Sequence, residues 1–446
     1  MTELMSPDWQ RLRRDVPAWF RGAGLGIFVH WGAFSVPAWA EPVGELGTID
    51  GPDWFRHNPY AEWYANTVRL PDSPARAYHR TVHGDAPYDD FLDAWTASRF
   101  DPDDWVELFA RAGARYVVPV CKHHDGITLW DAPGTGSRNT VHRGPRRDLV
   151  AALATATRAA GLRFGTYYSG GLDWGVTDLP PILIEADVRE VRPRDAAYAA
   201  YAALHVRDLI DRFRPDVLWN DIEWPDAGKH GGELGLFQLF ERYYATVPDG
   251  VVNDRWGDTH ADFRTSEYQH GSANESTAGM WEHCRGIGLS FGYNRVEDET
   301  HSLDGSAVVR RLVDIVSRGG NLLLNVGPTA DGRIPDVQRR ALEDLARWMA
   351  VNRAAVHDTR PVESRSAEPA DDPWVRWTAG DGVVWAVIDG SGPVLLRVDA
   401  DRLDPASART AGGAAVRAER SGGGIVAHVP ASDLPGPSVI NFPYER

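Results

Sequence analysis

Short apolar runs recur along the first three quarters of the chain, and amphipathic stretches separate most of them. The runs are rich in β-branched and aromatic residues, as buried strands are, whereas the stretches between them repeat apolar residues at helical spacing. Eight runs of this kind occur, at residues 25–30, 114–123, 162–169, 216–221, 250–255, 263–268, 286–293 and 321–326. Strands that alternate with helices predict β/α units around a parallel sheet.

The predicted fold is an irregular (β/α)8 barrel of the α/β class. Eight strands over about 330 residues suit the usual size of such a barrel. A doubly wound open sheet is the rival architecture, but the Gly-rich fingerprint that should follow its first strand is missing. No helical pattern separates the fifth, sixth and seventh runs, so we expect the barrel to be irregular on that side. Asp101 followed by Pro102 is a helix-start signal.

The pattern changes near residue 358. Gly-rich and Pro-rich turns then connect short alternating segments, which indicates antiparallel strands. We therefore predict a catalytic barrel at residues 1–357 and a small β-sandwich domain at residues 358–446 that packs on it. No short-period repeat or low-complexity tract is present.

Composition narrows the classes of function. The 446 residues include 47 basic and 63 acidic side chains, and the net charge of −16 argues against nucleic-acid and anionic-membrane partners. Two cysteines, Cys121 and Cys284, exclude a disulfide framework. The amino terminus lacks the apolar stretch of a secretory signal, so we expect a cytoplasmic protein. The acidic balance fits a neutral substrate better. The 18 tryptophans supply flat rings that can pack on the apolar faces of sugars, although core packing or surface anchoring is the commoner role for any single Trp.

Polar and aromatic side chains stand at the carboxyl ends of the eight runs, which is the face where barrel enzymes assemble their sites. Asp221 is the most informative, because it ends the apolar run of residues 216–221 and a buried carboxylate needs a partner or a task. The other run ends carry His30, Trp31, His123, His124, Tyr167, Tyr168, Asn253, Arg255, Glu267, Phe291, Tyr293 and Asn325. Carboxylates, imidazoles, a guanidinium and aromatic rings together suit a neutral polyhydroxylated ring and the acid–base chemistry that cleaves it.

The sequence resembles the α-L-fucosidases of glycoside hydrolase family 29 over essentially its whole length. The resemblance rests on the order of motifs at successive strand ends: GIFVHWGAFS, YAEWY, KHHDGITLW, YYSGGLDW, DVLWND, VNDRWGD, FRTSEYQ, WEHCRGIGLSFGYN and NLLLNVGPTADGRIP. It implies an irregular barrel followed by a β-sandwich. It also implies retaining, exo-acting hydrolysis of terminal α-L-fucosides, without cofactor or metal.

The resemblance assigns the nucleophile to Asp221. It favours Glu267 as the general acid/base, because the segment FRTSEYQ matches a bacterial branch in which this Glu has that role. Glu282 is the chief competitor, and Glu223 is expected on a surface loop. Glu62 and Glu297 are further candidates for the group that donates a proton to the leaving oxygen.

Carried over position by position, the resemblance also gives the residues that bind the fucosyl ring. They are His30, Glu62, Trp63, His123, His124, Tyr167, Trp219, Arg255 and Phe291. For the aromatic members, core packing is the alternative role. A zinc site at the histidines is disfavoured, because adjacent residues of a strand point to opposite faces.

Three alternatives are kept: a retaining glycosidase for another sugar, a non-catalytic carbohydrate-binding protein, and a metal-dependent barrel hydrolase. Weak activity on α-L-galactosides is expected, since these differ only by a hydroxyl on the methyl carbon and an apolar recess discriminates modestly against it. The loop at residues 174–192 leaves the aglycone contacts and linkage preference open, and Asp173 is expected to cap the turn before it. The expected partner is a small or oligosaccharide fucosylated substrate, and a homo-oligomer is left open.

Overall fold

A computed structural model of the chain describes residues 8–49, 51–268, 279–362, 369–399 and 403–443. Eight parallel strands form one curled sheet, in the order β5-β4-β3-β2-β1-β8-β7-β6. They are β1 Leu25–Val29, β2 Tyr116–Lys122, β3 Arg163–Ser169, β4 Val217–Asp221, β5 Val251–Val252, β6 Arg264–Glu267, β7 Trp281–Gly286 and β8 Gly320–Val326. The predicted barrel fold is confirmed. Its irregular side lies between β5 and β6, which do not pair as strands within the described chain.

The seventh predicted strand, at residues 286–293, is wrong. The strand is β7, which lies five residues earlier and pairs in parallel with both β6 and β8. This fully buried strand contains the polar residues Glu282 and His283, so it does not stand out in the sequence as an apolar run. The apolar run instead forms the loop at the carboxyl end of β7, because three glycines interrupt any strand pattern there.

Helices surround the sheet. Their bounds are Ala18–Arg21, Gly51–Arg56, Tyr64–Thr67, Pro74–His83, Asp89–Ala94, Pro102–Arg111, Leu149–Ala159, Glu185–Glu190, Ala196–Phe213, Leu236–Thr246, Gly305–Ser317 and Asp336–Asn352. The predicted helix start at Asp101 is confirmed, since its carboxylate accepts hydrogen bonds from the backbone N–H groups of Asp103 and Asp104. No helix in the described ranges is long and apolar enough to cross a membrane.

Antiparallel strands follow the last helix and form two small sheets. The strands are β9 Arg360–Pro361, β10 Ala370–Asp371, β11 Trp374–Gly380, β12 Val383–Asp389, β13 Gly392–Leu396, β14 Arg409–Thr410, β15 Ala418–Ser421, β16 Gly424–Val429 and β17 Ser438–Pro443. One sheet runs β10-β11-β12-β17-β14, with β9 paired to β11, and the other runs β13-β16-β15. A core that includes Trp377, Ile388 and Phe442 lies between them. The boundary at residues 357/358 stays a prediction.

The antiparallel sheets pack on the outer helices of the barrel. Trp348 Nε1 donates to Pro437 O at 2.8 Å, and Thr378 Oγ1 donates to Ala355 O at 2.8 Å. Arg376 Nε donates to Asp314 Oδ1 at 2.5 Å. These contacts involve the outer helices and not the carboxyl ends of the barrel strands.

Candidate functional site

The carboxyl ends of the barrel strands bring the predicted site residues together. Asp221 and Glu267 are the last residues of β4 and β6. His30 follows β1, and His123 with His124 follows β2. The register of the β3–β4 ladder sets Tyr167 beside Trp219, so these rings enter the same end of the barrel. This is the face at which barrel enzymes carry out their chemistry.

The carboxylate of Asp221 is held on both oxygens. Oδ1 accepts hydrogen bonds from Arg255 Nη1 at 2.9 Å and from the backbone N–H of Ile222 at 2.9 Å. Oδ2 accepts one from the hydroxyl of Tyr167 at 2.7 Å, and His124 Nε2 lies 3.8 Å from it. Only 8% of Asp221 is exposed. These contacts fix the position of both oxygens of the carboxyl group.

Arg255 joins Asp221 to Glu267. Its Nη2 donates to Glu267 Oε2 at 2.9 Å while its Nη1 donates to Asp221. Tyr60 donates its hydroxyl to the second oxygen of Glu267 at 3.0 Å. The guanidinium is itself fixed, since Nε donates to Thr265 Oγ1 at 3.1 Å and its carbon lies 4.7 Å from the centre of the Trp219 ring. The planar guanidinium of Arg255, a rigid fork of N–H donors, therefore holds two carboxyl groups side by side.

The three histidines of the site are buried, and burial lowers their pKa values. For His30 the pKa falls to about 4, and for His123 and His124 it falls well below the ordinary value. Asn325 donates its amide N–H to Phe291 O, so its amide oxygen faces His30 Nδ1 at 2.7 Å. This oxygen accepts a hydrogen bond from the N–H at His30 Nδ1. His30 Nε2 is then left to accept. Neutral imidazoles that both donate and accept suit sugar hydroxyls.

Glu62 is a buried carboxyl group that contacts the residues on either side of Phe291. Its Oε2 accepts hydrogen bonds from the backbone N–H of Gly292 at 2.7 Å and from Ser290 Oγ at 3.1 Å. Burial raises its pKa to about 7. A carboxyl group poised near neutrality binds hydroxyls as acceptor or donor.

Aromatic rings form the walls between these polar groups. Phe291 lies 4.9 Å from the His30 ring and 5.3 Å from the Tyr268 ring, and Tyr167 stacks on Trp219 at 5.4 Å. Trp63 meets the edge of the His124 ring at 5.2 Å. The predicted binding residues therefore form one connected cluster in space, and several of them are also part of the hydrophobic core. Their contacts with substrate stay a prediction.

Two competing glutamates have other surroundings. Glu282 is 0% exposed and accepts hydrogen bonds from the hydroxyl of Tyr116 and from Trp219 Nε1, the latter at 2.9 Å. Burial raises its pKa to about 7. Its carboxyl group is fully buried at the indole nitrogen of Trp219, out of reach of solvent. Glu223 pairs with Lys229 and lies 3.2 Å from Arg192, which suits a loop residue.

Two residues of the site were not predicted from the sequence. Tyr60 and Thr265, which fix Glu267 and Arg255, carry no motif signal beyond their place in YAEWY and FRTSEYQ. Asp173 caps its turn as predicted, since Oδ1 accepts from Gly175 N and Val176 N, both at 3.1 Å. It also forms a fully buried ion pair with Lys122 at 2.9 Å. That pair anchors the turn under the two histidines that follow β2.

No group of three or more His, Cys, Asp or Glu side chains among the described residues is arranged to hold a metal ion. His30 Nδ1 contacts Asn325, the His123 ring stacks on Tyr167, and His124 Nδ1 contacts Ser169.

Comparisons with known proteins place this geometry in a family. The family profile described as Alpha-L-fucosidase matches residues 2–354. The tissue α-L-fucosidase of Homo sapiens is 32% identical over 397 residues, which cover 86% of this chain and 76% of the relative. A solved α-L-fucosidase is 43% identical with a TM-score of 0.91, covering 99% of this chain and 100% of its own. The Thermotoga maritima α-fucosidase in complex with fucose is 41% identical with a TM-score of 0.86, covering 98% of this chain and 99% of its own. The chain therefore belongs to the α-L-fucosidase family of glycoside hydrolases.

Proposed function

We propose that this α-L-fucosidase is a retaining, exo-acting enzyme that removes terminal α-L-fucosyl residues by double displacement. Asp221 is the nucleophile and Glu267 is the general acid/base. The observation that carries the proposal is the shared guanidinium of Arg255, which donates to both carboxyl groups at 2.9 Å. Two carboxyl groups on one fork are close neighbours, as the separation of about 5–5.5 Å in a retaining pair requires.

In the first step Asp221 attacks the anomeric carbon and forms a β-fucosyl ester. The glycosidic bond breaks, and its electron pair stays on the leaving oxygen, which takes the proton of Glu267. In the second step the ionised Glu267 removes a proton from water. The water oxygen then displaces Asp221, so fucose leaves with its original α configuration and both carboxyl groups return to their first state.

The surroundings of each carboxyl group support its role. Asp221 accepts from Tyr167, Ile222 N–H and Arg255, which stabilise a carboxylate between attacks. Glu267 is held on one oxygen by Tyr60 and on the other by Arg255. Buried donors whose positions are fixed before reaction cost no reorganisation when charge moves, and this is the main source of catalysis in such sites.

The sugar pocket supports an exo mode of action on a 6-deoxy ring. Neutral histidines and Glu62 supply hydrogen bonds to hydroxyls, and Phe291 with Trp63 supplies apolar surface for the methyl group. Weak hydrolysis of α-L-galactosides follows, because adding one hydroxyl to an apolar recess changes rates by on the order of a hundredfold. A cytoplasmic location stays a prediction.

The nucleophile is tested with azide and an activated aryl α-L-fucoside. Asp221→Gly should lose hydrolysis and, with azide, give β-fucosyl azide by a single inversion. Glu267→Ala should still form the ester, and azide should then give α-fucosyl azide by two inversions. Proton NMR of the product distinguishes the two. Unimpaired hydrolysis by Asp221→Gly without azide, or the two azide products exchanged between the variants, would overturn the assignment.

The acid/base is tested by leaving-group dependence. Glu267→Ala should reduce kcat/KM far more for fucosides with poor leaving groups than for activated aryl fucosides, since only the former need a proton. Glu282→Gln is the matched control, because the carboxyl group of Glu282 is fully buried at the indole nitrogen of Trp219 and its replacement should affect both substrates alike. Equal losses in Glu267→Ala, with a leaving-group dependence in Glu282→Gln, would transfer the role to Glu282.

The remaining alternatives give different outcomes in the same assays. A glycosidase for another sugar would prefer a β-D-glycoside or the α-L-galactoside to the α-L-fucoside. A metal-dependent hydrolase would lose activity on treatment with EDTA and regain it with a divalent metal. We expect the aryl α-L-fucoside to be preferred and EDTA to have no effect.

A further inference from the structure

The loop that follows β7 contributes to the sugar pocket through consecutive residues. Ser290 and Gly292 donate hydrogen bonds to Glu62, and Phe291 between them lies beside His30. Tyr268, which follows Glu267, donates its hydroxyl to Leu289 O at 2.7 Å. The position of this loop therefore affects the polar edge and the apolar wall of the pocket at once.

Glu297 holds the same loop from behind. Its Oε2 accepts the backbone N–H of Leu289 at 3.1 Å, and its Oε1 accepts that of Ser290 at 2.9 Å. Asn294 Nδ2 lies 3.4 Å from Oε1. A Cβ on Gly288 would lie 1.9 Å from Oε2, so the chain leaves room for this carboxyl group at the base of the loop.

No ion pair among the described residues involves Glu297, and the group is nevertheless partly buried. Burial raises its pKa to about 8, and the neighbouring charge of Glu62 contributes to the rise. Removing a carboxyl group even partly from water without a cation beside it costs free energy, which its hydrogen bonds must offset. Here the two oxygens accept hydrogen bonds from two successive backbone N–H groups of one loop.

We propose that Glu297 is a positioning residue of the fucosyl pocket, which fixes the backbone of Leu289 and Ser290 so that Ser290, Phe291 and Gly292 meet Glu62 and the sugar. The inference rests on the proposed function, because it takes the pocket around Glu62 and Phe291 as the site of the fucosyl ring. Glu297 acts through the loop and does not touch the substrate.

The test compares Glu297→Gln and Glu297→Ala with the unaltered enzyme. Glutamine has the same size but only one acceptor oxygen, so one N–H of the loop loses its partner. We expect the KM for an aryl α-L-fucoside and the Kd of free L-fucose, measured by calorimetry, to rise together by roughly tenfold in Glu297→Gln. The rise should be larger in Glu297→Ala, and kcat should change less than KM in both.

Glu299→Gln is the control, since Glu299 is an exposed glutamate two residues away that pairs with Arg340 on the surface. Its KM and Kd should not change. A purely structural role for Glu297 would lower the melting temperature and the folded fraction while leaving KM and Kd unaltered. That result in folded Glu297→Gln overturns the inference. If Glu297→Ala does not fold, Glu297→Gln carries the test alone.

Failure of the proposed function and failure of the role of Glu297 give different experimental results. If Asp221→Gly gives no β-fucosyl azide, the catalytic assignment is wrong, but L-fucose binding still reports on Glu297. If the unaltered enzyme hydrolyses α-L-fucosides and His30→Ala does not weaken L-fucose binding, the pocket itself is misplaced. If His30→Ala weakens binding and Glu297→Gln does not, only the role of Glu297 is wrong.

Discussion

At the scale of single residues, the site depends on how a few donors are shared between two carboxyl groups. The three guanidinium nitrogens of Arg255 each donate a hydrogen bond, one to Asp221, one to Glu267 and one to Thr265. A lysine has one point charge and no rigid fork, so it cannot make these three contacts together. The identity of residue 255 matters for this reason as much as its charge.

Arg255→Lys should therefore fold and bind but react slowly. We expect kcat/KM to fall by roughly a hundredfold, the effect of about 2–3 kcal/mol of lost transition-state stabilisation. Steady-state kinetics on an aryl α-L-fucoside measures the loss. Arg242→Lys, which alters an exposed arginine paired with Asp211, is the control and should behave like the unaltered enzyme. A fall smaller than threefold in Arg255→Lys would contradict the role of the fork.

At the scale of elements, β4 and β6 both stop abruptly after a carboxyl residue. Ile222 follows Asp221 with φ of 57°, and Tyr268 follows Glu267 with φ of 49°. Left-handed backbone is costly for a β-branched residue such as Ile222, so the turn must be held by its surroundings. The sharp turn lets Ile222 N–H reach back to the carboxylate of Asp221.

Gly171 makes room for this turn and gives a test of it. A Cβ on Gly171 would lie 1.8 Å from Ile222 O, so Gly171→Ala must displace the turn that follows Asp221. We expect kcat to fall at least tenfold and the free energy of unfolding to fall by roughly 1–3 kcal/mol. Gly422→Ala is the control, because nothing lies within 4 Å of the added carbon. Full activity in Gly171→Ala would show that the turn is not required.

The same elements show what the sequence could predict. Asp221 and His30 were found because apolar runs mark the buried strands β4 and β1, and barrels place their sites at one face. Glu267 ends a polar, partly exposed strand and Arg255 follows the short strand β5, so their assignment relied more on the family motifs. β7 was missed because its polar residues Glu282 and His283 are buried, and their hydrogen-bond partners lie elsewhere in the sequence. Tyr60 reaches Glu267 across 207 positions of sequence, and no local pattern contains that information.

At the scale of the whole molecule, buried carboxyl groups should set the pH dependence of stability. Burial raises the pKa of Glu282 from 4.5 to about 7. Between these pH values the unfolded chain releases the proton while the folded protein keeps it. Stability is thus highest below about pH 4.5 for this group and falls as pH rises towards 7. Glu62 and Glu297, with pKa values of about 7 and about 8, act in the same direction.

Glu282→Gln should remove part of this dependence. Glutamine can accept from Trp219 and donate to the Tyr116 oxygen, so the fold should persist. We expect the variant to match the unaltered protein at pH 5 and to be more stable at pH 8 by on the order of 3 kcal/mol, given about 1.4 kcal/mol for each pKa unit. Urea unfolding at both pH values measures the difference. An equal slope in both proteins would show that Glu282 is ionised at little cost.

The fork of Arg255 has a consequence for the electrical state of the enzyme through its cycle. Before attack, the proposed mechanism has a negative Asp221, a neutral Glu267 and a positive guanidinium. In the ester intermediate Asp221 is neutral, and Glu267 has become negative. The three groups sum to zero in both states, and the same cation, bonded to both, accompanies the negative charge as it passes from one carboxyl group to the other. Water can therefore be activated without any net charge being built up inside the barrel.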